Sequence, residues 1–268
     1  MKKTIFLFLS LCSLGVLQAQ NDTMYIYKSG TVGKKAIADI DSIIFYKANA
    51  PGTALTVTDF DGNTYKTVTI GTQTWFAENL RTTSYKDGTP IPTVNDATAW
   101  TALSTGAQCT YNTTTDVDTI TKFGRLYNWY AVSYATLCPT GWHVPSDVDW
   151  NILQNYLIAN GYNYDGTITD NKIAKSIAAT TDWALNATIG TVGYERTTNN
   201  STGFTALPGG GRSNSGAFSS IVSNGYWWSS TEINTNDADY RNLYYDNSNL
   251  YNDYVNKVSG FSVRCLRN

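Results

Sequence analysis

Few side chains in this sequence could perform acid–base or nucleophilic chemistry. His143 is the only histidine of the chain. Catalytic or zinc sites that use two histidines are therefore excluded. His143 lies between Trp142 and Pro145, and this setting favours a structural, hydrogen-bonded histidine over a catalytic one.

Carboxylates offer a second route to catalysis, of the kind that glycosidases use. Glutamate occurs only as Glu78, Glu195 and Glu232. A glycosidase needs two carboxyl groups that face each other across a cleft, and no local motif pairs two carboxylates here. A carboxylate-based, glycan-active enzyme stays an alternative without assigned residues.

Two further motifs suggest ligands but lack the residues that those ligands require. Asp59, Asp61 and Asn63 have the spacing of the start of a calcium loop, but the later acidic ligands are missing, and Asp-Gly is a common hairpin turn. The run 207–212, Leu-Pro-Gly-Gly-Gly-Arg, lacks the Lys-Ser/Thr of a phosphate loop. We interpret it as a tight turn with a surface or buried arginine. We therefore predict no catalytic residue, no metal ligand and no cofactor.

The composition favours an extracellular, loop-rich, largely β domain. Aromatic residues make up 13% of the 268 residues, with 8 Trp and 19 Tyr, whereas charged residues make up only 15%. Asn, Thr, Ser, Gly and Tyr must therefore cover much of the surface. The net charge of −2, with no long basic run, argues against nucleic acid as a partner.

The N-terminus has the pattern of a cleavable secretory signal peptide over residues 1–19. A basic head, Lys2-Lys3, precedes an apolar run from Ile5 to Leu17 that is short for a membrane span. We expect cleavage after Ala19 rather than lipid attachment at Cys12, because the apolar run continues past Cys12. The sequence thus predicts a secreted or cell-surface protein without a transmembrane segment in the mature chain.

Three cysteines follow the signal peptide: Cys109, Cys138 and Cys265. An exported protein meets oxidising conditions, so we expect one disulfide and one remaining thiol. Spacing alone leaves all three pairings open.

Residues 20–55 are predicted to form a short β leader and a linker, and residues 56–268 the main domain. Strand-like segments at 25–27 and 43–46 are joined through Ser29-Gly30 and a lysine-bearing middle. We interpret this unit as a leader that packs on or leads into the main domain; a docking or anchoring hairpin is the alternative.

The main domain opens with hairpins and contains one strongly marked helix. Segments 56–60, 65–70 and 73–76 alternate with turn residues and predict consecutive hairpins. Ser146 followed by Asp149 is a capping-box start. Trp150, Leu153 and Leu157 share one face, which predicts a helix over 147–160.

Other helices are shorter in the sequence pattern. Asp96 should cap a single turn that includes Trp100, and Asp170 should cap a helix with Ile173 and Ile177 on one side. The segment 126–132 fits either a short helix or a buried strand. Alternating strand–helix units are missing, which argues against a parallel α/β sheet. The pattern predicts an α+β fold of small antiparallel sheets with two main helices and long loops.

A series of motifs runs through the main domain in order: Asp61-Gly62-Asn63, the run 70–75 (IGTQTW), 77–80 (AENL), 126–129 (LYNW), 138–146 (CPTGWHVPS), 203–204 (GF), 207–210 (LPGG), 228–231 (WSST) and 260–265 (GFSVRC). Together these motifs resemble one known family, the Fibrobacter succinogenes major paralogous (FISUMP) domain. The resemblance covers roughly residues 56–268. Phe76 and Thr110 depart from the usual residues of that family.

The resemblance implies a C-type-lectin-like fold, related in architecture to the formylglycine-generating enzymes. It also implies that Cys138 pairs with Cys265, with Cys109 as the odd thiol, although Cys109–Cys138 stays open. Closing that loop would stabilise the fold by up to about 5 kcal/mol in the chain-entropy model. The related enzymes use closely placed reactive cysteines, and no such pair is offered by this sequence, so their activity is not carried over.

Residues 226–255 are the candidate binding surface. They include six Tyr, six Asn, four Asp and three Ser. Tyrosine and asparagine are typical of adaptable recognition surfaces, and aromatic faces with amide hydrogen bonds also suit sugars. Trp227 and Trp228 are expected in the core, with ligand contact by Trp228 as the alternative. The candidate ligand-binding residues are Tyr226, Trp228, Glu232, Asn234, Asn236, Asp237, Tyr240, Arg241, Tyr244, Tyr245, Asn247 and Tyr251.

We therefore predict an exported or cell-surface, non-catalytic binding module that recognises glycans. A protein-binding adhesin or envelope component is the alternative. In some bacterial and phage proteins with a C-type-lectin-like fold, adenine-directed mutagenesis diversifies a C-terminal stretch, and the composition of 226–255 fits that case too. Asn codons and a nearby template repeat would identify it.

Overall fold

The computed structural model describes residues 23–28, 31–36 and 56–268. The chain divides into two units, Met1–Ala50 and Pro51–Asn268. In the first unit, strands β1 (Thr23–Lys28) and β2 (Thr31–Ala36) pair antiparallel. The predicted strand at 25–27 is confirmed, but its partner is the lysine-bearing segment. The predicted strand at 43–46 and the signal peptide lie outside the described residues.

The described part of the second unit is built on two five-stranded sheets and one two-stranded ribbon. The first sheet has the order β3-β4-β5-β14-β8 and is antiparallel throughout. Its first three strands are the hairpins predicted from 56–76. The strands are β3 (Thr56–Thr58), β4 (Thr64–Ile70), β5 (Gln73–Phe76), β8 (Trp142–His143) and β14 (Leu266–Arg267).

The second sheet has the order β10-β9-β11-β12-β13 and is formed by the C-terminal third of the chain. Only the β9–β11 contact, Gly210 against Gly225, is parallel. The strands are β9 (Gly209–Arg212), β10 (Phe218–Ile221), β11 (Asn224–Glu232), β12 (Asp237–Tyr244) and β13 (Tyr251–Asn256). The ribbon pairs β6 (Gln108–Cys109) with β7 (Leu126–Tyr127).

One helix dominates the described residues. α4 (Asp147–Ala159) begins at the predicted capping box: the Ser146 side chain accepts from the Asp149 amide, and the Asp149 carboxylate accepts from the Ser146 amide. Trp150, Leu153 and Leu157 are buried, as predicted. The other helices are short: α1 (Ala97–Thr101, capped by Asp96), α2 (Val117–Phe123), α3 (Trp129–Val132) and α5 (Ala174–Ile177).

The predicted cap of the second main helix is wrong. Asp170 has a left-handed backbone (φ 61°) and caps nothing; α5 has Ile173 at its N-cap without a side-chain hydrogen bond. Ile173 and Ile177 are buried as expected. The segment 126–132 contains both alternatives, a two-residue strand followed by α3. The sequence pattern does not indicate α2, because its β-branched residues lower the helix propensity of the segment, although Asp116 caps it.

The segment 207–212 is not a tight turn, because its glycines form strand β9. Gly210 has φ 62°, and a Cβ there would lie 2.5 Å from the Ser219 carbonyl oxygen. The buried Arg212 guanidinium donates to the carbonyl oxygens of Val94 (2.6 Å) and Asn95 (2.8 Å) and lies 4.3 Å from the Trp100 ring. This arginine therefore joins β9 to the loop before α1.

A disulfide and a buried hydrogen-bond hub hold the C-terminal motif in place. Cys138 and Cys265 are bonded, as the resemblance implies, and Cys109 is a buried free thiol. Asn79 Oδ1 accepts from Trp227 Nε1 (3.0 Å) and Arg264 Nε (2.7 Å). Burial lowers the pKa of Arg264 to about 9. The motifs AENL and GFSVRC thus meet in the core.

Candidate ligand-binding face

The three adjacent strands β11, β12 and β13 expose two chemically different faces. Side chains alternate along a strand, and paired residues of antiparallel strands point to the same side. Tyr226 pairs with Asn242, which pairs with Tyr251. Trp227 pairs with Arg241, which pairs with Asn252. We call the first side the tyrosine face (Asn224, Tyr226, Trp228, Tyr240, Asn242, Tyr244, Tyr251 and Asp253) and the second the helix face (Trp227, Asp239, Arg241, Leu243, Asn252 and Tyr254).

α4 covers the part of the helix face that β11 and β12 contribute. Trp227 and Leu243 share a buried apolar cluster with Trp150. Arg241 Nη2 lies 2.6 Å from the Asp147 carboxylate and donates to Asn151 Oδ1 (2.9 Å). Since this side packs on the helix, it serves as structural support.

The tyrosine face carries a row of aromatic rings that crosses the three strands. Tyr226 stacks on Phe261, with ring centroids 4.8 Å apart and planes 15° apart. Tyr240 lies 6.0 Å from Tyr226, and the Tyr244 and Tyr251 rings meet edge to face at 5.4 Å. Tyr226, Tyr244 and Tyr251 are half-buried, so part of each ring faces solvent. The row therefore offers aromatic surface with hydroxyl groups attached.

Polar groups lie between these rings. Asn224 Nδ2 donates to the Tyr226 hydroxyl (2.5 Å). Burial raises the pKa values of Tyr240 and Tyr244, with the nearby Asp253 carboxylate adding to both shifts, so both phenols stay protonated at neutral pH. Asp253 itself is exposed, and the buried Oδ1 of Asn242 has no hydrogen-bond partner among the described residues. The face thus combines hydroxyls, amides and a carboxylate with aromatic rings.

Only part of the predicted surface gathers on this face. Tyr226, Tyr240, Tyr244 and Tyr251 come together there, although Tyr240 is only 8% exposed. Trp228 also points to this side but is fully buried, with Nε1 donating to the Tyr127 carbonyl oxygen (2.7 Å). Trp228 is therefore a core residue, as expected, and the alternative of a ligand contact by Trp228 is wrong.

The prediction of Arg241 as a surface contact is wrong as well. Its side chain is 0% exposed beneath α4. Alternation along β12 decides the difference: Arg241 lies between Tyr240 and Asn242 in sequence but points to the opposite side of the sheet.

The remaining predicted residues lie away from the tyrosine face. Asn234 Oδ1 accepts from the backbone amides of Asn236 (2.8 Å) and Asp237 (3.0 Å), which closes the β11–β12 turn. Glu232 forms an ion pair with Lys257. Tyr245 packs partly against the helix-side core, and the backbone carbonyl of Asn247 accepts from the Val192 amide (3.1 Å).

Sequence reasoning did not select Asn224, Asn242, Asp253 and Phe261, which complete the face. The alternation of side chains along β12 and β13 would have indicated Asn242 and Asp253, because each lies on the same side of its strand as the predicted tyrosines. Asn224 and Phe261 are contributed by positions outside 226–255 and could only be found from the fold.

His143 has structural partners, in agreement with its interpretation. Nδ1 lies 2.7 Å from Asn268 Oδ1, and Nε2 lies 3.5 Å from Asp149 Oδ2. Ser146 Oγ donates to the same Asp149 oxygen (2.6 Å). The carboxylate thus lies between the serine and the imidazole, whereas a hydrolase places the imidazole between the other two.

The described residues contain no group of three or more His, Cys, Asp or Glu that could hold a metal ion. Asp59 and Asp61, the calcium-loop candidates, bond within the protein. Asp59 accepts from the Tyr65 hydroxyl (2.6 Å), and Asp61 accepts from the Thr83 amide (2.5 Å). Nor is any helix in this part of the chain long and apolar enough to cross a membrane.

Comparison with known proteins identifies the family. Neither the curated proteins nor the solved structures compared with the chain gave a match. The model of the Fibrobacter succinogenes major domain matches residues 68–267. This range includes the capping box, both disulfide cysteines, the Asn79–Arg264 hub and all three strands of the tyrosine face. The chain therefore belongs to the Fibrobacter succinogenes major domain family.

Proposed function

We propose that this protein is an exported, non-catalytic binding module that recognises glycans through the tyrosine face. The single observation that carries the proposal is the grouping of four tyrosine rings with Asn224 and Asp253 on one side of the sheet. The Cys138–Cys265 disulfide is consistent with an extracellular protein, and the signal peptide predicted for residues 1–19 supports the same location.

The chemistry of this face fits a sugar better than an apolar ligand. Tyrosine rings give apolar surface against which the C–H groups of a sugar ring can pack, and their hydroxyls exchange hydrogen bonds with its hydroxyls. The Asp253 carboxylate accepts hydrogen bonds from such hydroxyls more strongly than a neutral group would. The rings are already fixed by contacts with Phe261 and with each other, so little side-chain entropy is lost on binding.

A glycan array, followed by calorimetry on the strongest hit, tests this proposal. We expect Tyr251→Ala to weaken binding about tenfold, because it removes one of the partly exposed aromatic rings of the face. Asp253→Ala should weaken it by a smaller factor. Tyr254→Ala is the matched control, because Tyr254 follows Asp253 on the same strand and is 59% exposed, but its side chain points to the opposite side of the sheet.

Two results would overturn the proposal. One is glycan binding that survives both Tyr251→Ala and Asp253→Ala, which would place the site elsewhere. The other is the absence of binding to any glycan on the array, together with capture of a surface protein that is lost in Tyr251→Ala. That result would favour the adhesin alternative.

A further inference from the structure

Two adjoining cavities flank a single exposed tyrosine, Tyr134, on the loop that follows α3. The first has a volume of about 380 Å³ and the second about 490 Å³. Ser133 and Tyr134 line both. The Tyr134 side chain is 61% exposed. The Tyr134 side chain forms a ridge between the two cavities, and we call the cavities and this ridge the Tyr134 groove. Each cavity has the size of a small-ligand pocket.

The first cavity combines aromatic walls with hydroxyl groups and a carboxylate. Tyr85 lies 5.3 Å from Tyr134, ring to ring, and Tyr130 adds a third ring to the lining. Ser104 and Thr105 lie on the same lining. Hydrogen bonds from Thr89 lower the pKa of Asp87, so this exposed carboxylate stays ionised and can accept hydrogen bonds.

The second cavity repeats this combination with different residues. The Trp129 ring lines it, held by a hydrogen bond from Nε1 to the Ser229 carbonyl oxygen (2.9 Å). His143, Ser230 and Glu232 supply polar groups. Glu232 is paired with Lys257, whose Nζ lies 4.9 Å from the Trp129 ring centroid. Since its main carboxylate is neutralised by this pair, the cavity does not select a cationic ligand.

Hydrogen bonds hold the backbone around Tyr134 in place, so the groove is a preformed site. The Lys86 amide donates to the Thr136 carbonyl oxygen (2.8 Å), and Lys86 Nζ donates to the Ala135 carbonyl oxygen (3.3 Å). The Leu137 amide donates to the Tyr134 carbonyl oxygen (3.1 Å). Binding therefore requires little ordering of the loop.

From these observations we infer that the Tyr134 groove is a second saccharide site, which takes an internal segment of a linear, uncharged oligosaccharide. One sugar ring occupies each cavity and the chain crosses Tyr134. The inference rests on the proposed function for its ligand class, but not for its location. Its walls come from α3, from the loops around residues 85–92, 104–106 and 133–138, and from His143, Ser230 and Glu232 at the ends of β8 and β11, and no residue of the tyrosine face lines either cavity. A chain with both sites is bivalent and can bridge two glycan strands.

The test is a calorimetric titration of the full chain with four tetrasaccharides, cellotetraose, xylotetraose, mannotetraose and chitotetraose, and with the corresponding monosaccharides. For at least one tetrasaccharide we expect a stoichiometry of two. Its affinity at the groove should be at least tenfold above that of its monosaccharide, because two cavities are filled instead of one.

Two variants locate the groove. Tyr134→Ala removes the ridge, and Ser104→Trp fills the first cavity from an exposed position; each should reduce the stoichiometry from two to one. Tyr254→Ala, a tyrosine with nearly the same exposure outside both sites, should leave both binding events unchanged. Circular dichroism and the melting temperature verify that each variant is folded.

The outcomes separate the two proposals. One binding event that is lost in Tyr251→Ala and kept in Tyr134→Ala overturns the groove and leaves the tyrosine face. One event that is lost in Tyr134→Ala and Ser104→Trp but kept in Tyr251→Ala overturns the tyrosine face and leaves the groove. Absence of binding by all four tetrasaccharides overturns the groove as a site for uncharged oligosaccharides, while charged or branched glycans on the array still test the tyrosine face.

Discussion

The two sides of the strands β11, β12 and β13 come from the same stretch of sequence but have different surroundings. The helix face pairs a fully buried arginine with the Asp147 carboxylate of α4 and buries Trp227 and Leu243. The tyrosine face leaves three rings half-exposed and an exposed carboxylate beside them. Composition cannot distinguish the two, since both contain aromatic, amide and acidic residues. What distinguishes them is how they are covered: α4 packs on one side, whereas on the other side Trp228, Tyr240 and Asn242 are buried and the remaining residues are partly exposed or exposed.

The comparison predicts that substitutions on the helix face mainly change stability, whereas those on the tyrosine face mainly change binding. The strongest test is Trp227→Ala. Its indole is 1% exposed and donates to Asn79. We expect a loss of about 3–5 kcal/mol in the free energy of unfolding, measured by urea denaturation. A loss below about 1 kcal/mol would contradict the assignment of this side as structural support.

The second test removes the charge that faces Arg241. Asp147→Asn leaves the buried guanidinium without its ion-pair partner, and Nε and Nη1 of Arg241 already have no hydrogen-bond partner among the described residues. We expect a loss of about 2–3 kcal/mol, below the range for fully buried pairs because the Asp147 side chain is 23% exposed.

A double-mutant cycle shows whether this loss comes from the ion pair. Asp147→Asn combined with Arg241→Met should recover part of the lost stability, since the buried charge is then gone. Asp246→Asn, at an exposed aspartate in the loop after β12, is the control for losing one negative charge. Additive effects of the two substitutions would indicate that the pair is not coupled.

The third test is the pH dependence contributed by Asp239 on the helix face. Burial, with the nearby Asp147 charge, raises the pKa of this carboxyl above 3.8. The folded state therefore binds a proton more tightly than the unfolded state, so stability from this group falls as the pH rises from about 3.8 through the raised pKa. Asp239→Asn should remove that fall and raise the melting temperature at pH 7 by about 1–3 °C.

Calorimetric melting curves between pH 3.5 and 7 measure this effect. The difference between the variant and the wild-type chain should grow with pH across that window. A constant difference would mean that Asp239 does not titrate abnormally in the folded protein.

The smallest stability change is expected on the tyrosine face. Tyr251→Ala should lower the free energy of unfolding by less than about 1 kcal/mol, because the ring is half-buried at a sheet edge. Thermal melting beside Tyr254→Ala measures it. A loss as large as that of Trp227→Ala would show that the tyrosine face is also structural, and the reduction in glycan binding would then need another explanation.

Local signals in the sequence predicted several elements well. The Ser146–Asp149 box fixed the start of α4, because both hydrogen bonds of a capping box are made within four residues. Asp96 capped α1 as expected. The hairpins at 56–76 also follow from local turn chemistry. Asp170 failed as a cap because its neighbours adopt tight turns around Asn163, whose side chain bonds four backbone or side-chain oxygens between residues 167 and 170.

The sequence by itself determined the family, the disulfide partners that this family implies, the main helix and the stretch that holds the tyrosines. The family and the disulfide partners follow from motifs, whereas the helix and the tyrosine-rich stretch follow from residues close together in the chain. Only the tertiary structure decided that Tyr240 and Arg241, adjacent in sequence, serve opposite faces, that Trp228 is in the core, and that Tyr134 separates two cavities. Strand register within 224–256 assigns each residue to one face, and α4, whose Asp147 lies 94 positions before Arg241, covers one of the two faces.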